Sequence, residues 1–181
     1  MSEVSGTVPT PGTAQPHATD PGTAHRHAVV VVASTRAAAG QAEDTTGPVL
    51  VAWLRDRGFA VPDAVVVADG EPVRDALLAA LTGHPRVIVT TGGTGISPTD
   101  HTPEMTEPLL ERRLPGLVHA LAARGAESTP AAVLSRGAAG TVGRTFVVNL
   151  PGSSGGVRDG IAVLDPILDH LCGQLEGRHE H

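Results

Sequence analysis

Lysine is absent from the 181 residues, and all 13 basic side chains are arginines. That absence excludes a P-loop lysine and any Schiff-base mechanism. Tyrosine is absent as well, and Trp53, Phe59 and Phe146 are the only aromatics, which leaves almost no material for stacking nucleic-acid bases. The single cysteine, Cys172, excludes an intrachain disulfide and a cysteine-based zinc cluster, and fits a reducing, cytoplasmic compartment. No apolar run reaches the ~18 residues that span a membrane, and the N-terminus lacks the basic start and apolar stretch of a signal peptide. The net charge of −6 gives no long-range attraction to nucleic acid or to an anionic membrane. An anionic ligand must therefore be held locally, by amides, a few arginines and a metal ion.

What is present divides the chain into three parts. Residues 1–26 carry Pro9, Pro11, Pro16 and Pro21 among small polar residues and read as a disordered tail, because they cannot bury enough apolar area to offset ordering. Residues 177–181 read as a short polar tail, and residues 27–176 as the folded domain. Within the domain, Ala28–Ala33, Ala64–Ala68, Arg86–Thr90, Ala131–Ser135 and Thr145–Leu150 have the length and apolar content of strands. Helical spacing marks Thr46–Arg57, ended by Gly58, and Glu71–Leu81 with Pro72 in its first turn. A further helix opens with Thr102 as N-cap and Pro103 at its first position. Another follows Pro115-Gly116, and a last one runs beyond Gly156 with a kink or restart at Pro166. Strands alternating with helices predict an α/β fold with a mostly parallel central sheet.

Ligands in such sheets sit outside the carboxyl ends of the strands. Four polar loops follow strands here: Ser34 to Arg36, Asp69-Gly70, Thr91 to Asp100, and Pro151 to Gly156. The richest is V-I-V-T-T-G-G-T-G-I-S-P-T-D-H-T-P from Val87 to Pro103, an apolar strand running into glycines and hydroxyls that ends in a carboxylate. Glycines let the backbone approach a phosphate, and the carboxylate suits Mg²⁺. The loop lacks both the Rossmann and the Walker A pattern. Asp69 and Asp100 each lie just past a strand, so neighbouring parallel strands would bring the two carboxylates together. The alternative for each is a simple helix N-cap. Arg36 and the Ser135-Arg136 pair read equally as anion ligands or as exposed loop residues. Gly152 to Gly156 formally matches G-x-S-x-G with Ser154 as a nucleophile. The downstream candidates Asp159, Asp165 and His170 lie along the helical region right after it, with little room to fold back onto Ser154, so Asn149 and Ser153 as ligand-holding groups are preferred.

Together these motifs resemble the molybdenum-cofactor biosynthesis family that includes Mog, MoaB and the G domain of gephyrin. The resemblance rests on T-T-G-G-T-G at Thr90 to Gly95, D-x-T-P-E at Asp100 to Glu104 and P-G at Pro115-Gly116. It rests further on L-S-R-G at Leu134 to Gly137, N-L-P-G at Asn149 to Gly152, and V-A-D-G-E around Asp69. It covers His27 to Gln174. It implies a three-layer α/β/α molybdopterin-binding fold, usually a homotrimer, that activates molybdopterin with Mg²⁺-ATP, releases pyrophosphate and serves a partner enzyme of molybdate insertion. A non-catalytic molybdopterin-binding or scaffold protein of the MoaB type is the alternative on the same fold. The resemblance makes Asp69 and Asp100 the catalytic, metal-holding pair. Thr91, Gly92, Gly93, Thr94 and Gly95, with Ser97 and Thr102, would hold phosphates. Ser34, Arg36, Ser135, Asn149, Pro151, Gly152 and Ser153 would complete the pocket. One departure stands out: many relatives have Arg before the second aspartate, where this chain has Thr99.

Overall fold

A computed structural model describes residues 26–178. The tail expected over residues 1–26 lies outside the described residues except for Arg26, which is buried; of the C-terminal tail only residues 177 and 178 are described. In chain order the elements are β1 (Ala28–Ala33), α1 (Thr35–Ala38), α2 (Gly47–Asp56), β2 (Val65–Val67), α3 (Glu71–Thr82), β3 (Val87–Thr91) and α4 (Thr102–Thr106). There follow β4 (Arg112–Arg113), α5 (Pro115–Ala126), β5 (Ala139–Val142), β6 (Thr145–Leu150), α6 (Ser154–Leu164) and α7 (Leu168–Glu176). None of these helices is long and apolar enough to cross a membrane.

The strands form one sheet in the order β2-β1-β3-β6-β5-β4. The first four are parallel, with Val31 opposite Val65, Val30 opposite Val89 and Val89 opposite Val148. Burial on both faces explains why β1, β3 and β6 are nearly continuous in β-branched and apolar residues. Successive side chains alternate between the faces. Val30, Val32, Val87 and Val89 join Leu50, Trp53 and Leu54 of α2, Val157 of α6 and Leu168 of α7 in one core. Ala33, Ile88 and Val147 join Val73 and Leu77 of α3 in the other. The result is a three-layer α/β/α arrangement. Each fully buried side chain such as Leu54 or Phe146 contributes about 1.5–3 kcal/mol.

Several local expectations hold. Gly58 lies just past α2 with φ +81, as a C′ glycine should, and Pro166 separates α6 from α7. Three do not. Residues 130–134 form a 3-10 helix in place of a strand. Pro130 occupies its first turn, and Val133 and Leu134 are exposed. The hairpin partner β5 and the two-residue β4 carry Gly140 and paired arginines, which gave no strand signal. Finally, the N-cap of α4 is His101, not Thr102. The Thr102 hydroxyl is drawn away to Asp69.

Candidate functional site

The carboxyl ends of β1, β2, β3 and β6 open on one edge of the sheet, because all four strands are parallel. The loops leaving β3 and β6 are stitched together there. Thr91 Oγ1 donates to the Pro151 carbonyl at 2.8 Å, and the Gly92 N–H donates to the Leu150 carbonyl at 3.1 Å. Gly92 has φ +96 and packs against the Ala33 carbonyl. A side chain there would collide with the end of β1, so this first glycine is needed for the crossing of the two strand ends.

Asp69 reaches this loop from the end of β2. Its Oδ1 accepts from the Gly70 N–H at 2.7 Å and the Thr102 hydroxyl at 3.2 Å, and its Oδ2 accepts from the His101 N–H at 3.2 Å. Three donors from two segments fix the carboxylate against Gly93. The N-cap of α3 is Gly70, without a side-chain cap, so the capping role weighed for Asp69 is not the one it plays. Asp100 is not a cap either. It closes a tight turn in which its N–H donates to the Ser97 carbonyl and its Oδ2 accepts from the Ser97 N–H at 3.0 Å. Its Oδ1 accepts no hydrogen bond among the described residues. Both carboxylates thus flank one glycine loop. Among the described residues no group of three or more His, Cys, Asp or Glu side chains converges. Two hard oxygen donors beside a glycine loop fit the chemistry of Mg²⁺, which binds through one or two carboxylates plus further oxygens rather than in an all-protein cage.

Asn149, at the end of β6, holds the floor. Its Nδ2 donates to Thr90 Oγ1 and Thr106 Oγ1, both at 2.9 Å, and its Oδ1 accepts from the Ala138 N–H at 3.0 Å. Both amide protons are therefore engaged within the protein. Ser153 caps α6, its hydroxyl accepting from the Gly156 N–H at 3.0 Å, which turns the N-terminal amides of that helix toward the same space.

A cleft of about 570 Å³ opens above these loops. Of the residues expected at a site, Gly93, Thr94, Gly95, Asp100, Ser135, Asn149, Pro151, Gly152 and Ser153 line it. Thr91, Gly92 and Thr102 are buried beside it, and Asp69 is half-buried under Gly93. Ser34 caps α1, accepting from the Ala37 N–H, and Arg36 is exposed on that short helix. Ser97 is exposed, with its hydroxyl on Thr99 Oγ1. These three do not line the cleft. Ser154 Oγ meets no histidine or carboxylate among the described residues, and Asp165 is engaged by Trp53 and Arg57, so the nucleophile reading of G-x-S-x-G has no geometry behind it.

The motifs did not point to the apolar half of the cleft. Val118, Leu121, Ala122 and Gly125 of α5 line it, with Ile96 and Leu134 at its edge. Their i, i+3, i+4, i+7 spacing was a readable stripe, but nothing in the sequence said that it faced a ligand rather than the core. Arg136, read from the sequence as an anion ligand or an exposed loop residue, has contacts that neither reading foresaw. Its backbone N–H donates to the Thr94 carbonyl at 2.8 Å, and its guanidinium donates to the carbonyls of Gly95 at 2.7 Å and Asp100 at 2.8 Å. The fork also pairs with Glu104. That hydrogen bond holds the Glu104 carboxyl below its ordinary value.

Residues 29–170 match the family model described as a probable molybdopterin binding domain. A molybdenum cofactor biosynthesis bifunctional protein of Synechococcus elongatus is 40% identical over 83% of this chain and 47% of its own length. The chain thus spans about half the length of that relative. A molybdopterin adenylyltransferase of Pyrococcus furiosus is 33% identical over 78% of this chain and 86% of its own. The solved structure of the molybdopterin biosynthesis Mog protein from Mycobacterium ulcerans superposes with a TM-score of 0.80 at 48% identity, covering 83% of this chain and 99% of that one.

Proposed function

We infer, from a chain that belongs to the molybdenum-cofactor biosynthesis family of molybdopterin-binding domains, that it is a molybdopterin adenylyltransferase. The observation that carries this reading is the pair Asp69 and Asp100 flanking one glycine loop, beside a cleft that is apolar at its far end. The apolar end suits a flat heterocycle, and the amide-lined end suits phosphates.

In the proposed reaction a terminal phosphate oxygen of molybdopterin attacks the α-phosphorus of ATP. The bond to the β-phosphate oxygen breaks, and pyrophosphate leaves with that electron pair. No protein nucleophile is needed, so the absence of lysine does no harm. The chain has to align two anions and offset their charge. The amides of Gly93 to Gly95 and the first N–H groups of α6 are the groups that would hold phosphate oxygens. Asp69 and Asp100 are the groups that would hold Mg²⁺, which when bound neutralises phosphate charge. A homotrimer and a downstream partner for molybdate insertion belong to the same proposal; light scattering tests the first.

The deciding experiment is pyrophosphate release from Mg²⁺-ATP, with and without molybdopterin. Release should require molybdopterin, and Asp69→Asn and Asp100→Asn should each lower it by roughly 100-fold or more while the far-UV spectrum is kept. Molybdopterin binding without release would move the chain to the non-catalytic binding reading.

A further inference from the structure

Arg136 and Asp69 act on the same peptide group from opposite ends. The carbonyl of the Asp100–His101 peptide accepts from Arg136 Nη2 at 2.8 Å, and its N–H, on His101, donates to Asp69 Oδ2 at 3.2 Å. The peptide on which Asp100 is mounted is thus held by one cation and one anion. The same guanidinium grips the Gly95 carbonyl, and the Arg136 backbone grips Thr94. Thr99, just before Asp100, makes contact through its hydroxyl with Ser97 Oγ at 3.0 Å, inside the same exposed turn, and gives no anchor to the body of the protein. The anchor comes from 36 residues away in sequence, out of the 3-10 segment that follows α5.

We propose that Arg136 is a positioning residue: it fixes the Asp100–His101 peptide, and through it sets the placement of the Asp100 carboxylate relative to Asp69 and the glycine loop. The fork geometry matters and not only the charge. Two parallel N–H groups reach two carbonyls of different residues, Gly95 and Asp100, which an ammonium on a flexible stem cannot do together. Glu104 completes the arrangement by occupying the third face of the guanidinium, so Arg136 is held at the rim and is not left to bind an incoming anion. This role rests on the adenylyl-transfer reading only in its kinetic consequence; the loop anchoring stands apart from it.

The test uses the full-length chain with Arg136→Ala and Arg136→Lys, read in two ways. Amide hydrogen exchange over residues 96–102 should rise about tenfold or more in both variants, with β1 and α2 unchanged. Turnover in the pyrophosphate assay should fall roughly 10- to 100-fold in kcat, while KM for ATP moves less than about threefold, since the substrate-facing amides remain. Arg136→Lys should resemble Arg136→Ala. Recovery of turnover in Arg136→Lys would overturn the geometric role in favour of charge. Unchanged exchange in both variants would overturn it outright, as would raised exchange with unchanged kcat. If the unsubstituted chain releases no pyrophosphate, the adenylyl-transfer reading fails on its own, and the exchange measurement alone decides whether Arg136 anchors the Asp100 peptide.

Discussion

Asp69 lies so close to Gly93 that a Cβ built there would sit 2.1 Å from Asp69 Oδ2 and 2.4 Å from Thr102 Oγ1. Gly93 also has φ +63, a conformation that side chains rarely adopt. The glycine is therefore what allows the carboxylate to press against the loop. Gly93→Ala has to displace Asp69 or unwind the turn. It should cost about 2 kcal/mol or more in stability and remove turnover in the pyrophosphate assay. Gly116→Ala, with open space around its Cβ in the first turn of α5, is the matched control and should be neutral or stabilising by up to about 1 kcal/mol. Equal urea midpoints for the two variants would show that the close approach to Asp69 is not a constraint.

Asn149 poses a different question, because it lies at the cleft yet makes all its contacts inward. Removing its side chain leaves the buried Thr90 hydroxyl and the Ala138 N–H without that partner, and takes one hydrogen bond from Thr106, whose hydroxyl still donates to the Thr102 carbonyl. Each group left without a partner costs about 1–3 kcal/mol. Asn149→Ala should therefore lower stability by about 3 kcal/mol or more, beyond what a surface ligand residue would show. Asn149→Asp replaces the two-proton donor with a buried acceptor and should be at least as damaging. Urea unfolding followed by Trp53 fluorescence measures both. A loss of activity at wild-type stability would instead make Asn149 a ligand group.

The parts of this protein that the sequence made legible are the parts built from contiguous signals. The apolar runs of β1, β3 and β6 could hardly be anything but buried strands. The expectation that neighbouring strands bring Asp69 and Asp100 together did not hold in that form, because β1 lies between β2 and β3; the two carboxylates instead flank the same glycine loop, Asp69 against Gly93 and Asp100 against Gly95. What was not legible depended on long-range partners. The run A-A-V-L-S after Pro130 has strand composition, but it packs against α5 and turns as a 3-10 segment over the cleft. Arg136 follows that segment, so its position relative to Gly95 and Asp100 could not be derived from local pattern. Thr102 was misplaced for a related reason: a hydroxyl before Pro103 is a good cap, but Asp69, 33 residues earlier, competes for it.

At the opposite end of the sheet, Glu176 joins Arg26, just ahead of β1, to α7. Its oxygens accept from Arg26 Nε and Nη2, both at 2.9 Å, and the Arg26 side chain is 4% exposed. The hydrogen bond from Arg26 holds the Glu176 carboxyl below its ordinary value of 4.5. A depressed folded-state value means that the unfolded chain takes up the proton first. The stabilisation is complete above about pH 4.5 and is lost as pH falls through the folded value. Glu176→Gln should be less stable at pH 7, by about 1–3 kcal/mol. Its deficit should shrink as pH is lowered toward 3, because the wild-type carboxylate is then protonated as well. Urea midpoints across that range test this, and parallel pH curves for the two proteins would reject it.

Cys172 sits in α7 beside this cluster with no exposed surface. Burial pushes its thiol up from 9.0 to about 11, against the pull of Arg26. Two consequences can be measured. A thiolate-directed reagent needs both exposure and ionisation, so native protein at pH 8 should label only through opening events. Its rate should be lower than in urea by a factor on the order of 10³ or more. The second consequence is alkaline. A raised folded-state value means that the unfolded chain loses the proton first, so this contribution is fully present below about pH 9 and is lost as pH climbs toward 11. Cys172→Ala removes the ionisation while leaving only a small cavity, and its stability should decline less steeply than the wild type over that interval. Rapid labelling of the folded protein would show that α7 opens on its own. Labelling that slows in step with global stability, as urea is withdrawn, would tie the last helix, through Glu176 and Arg26, to the cooperative unit that carries the cleft.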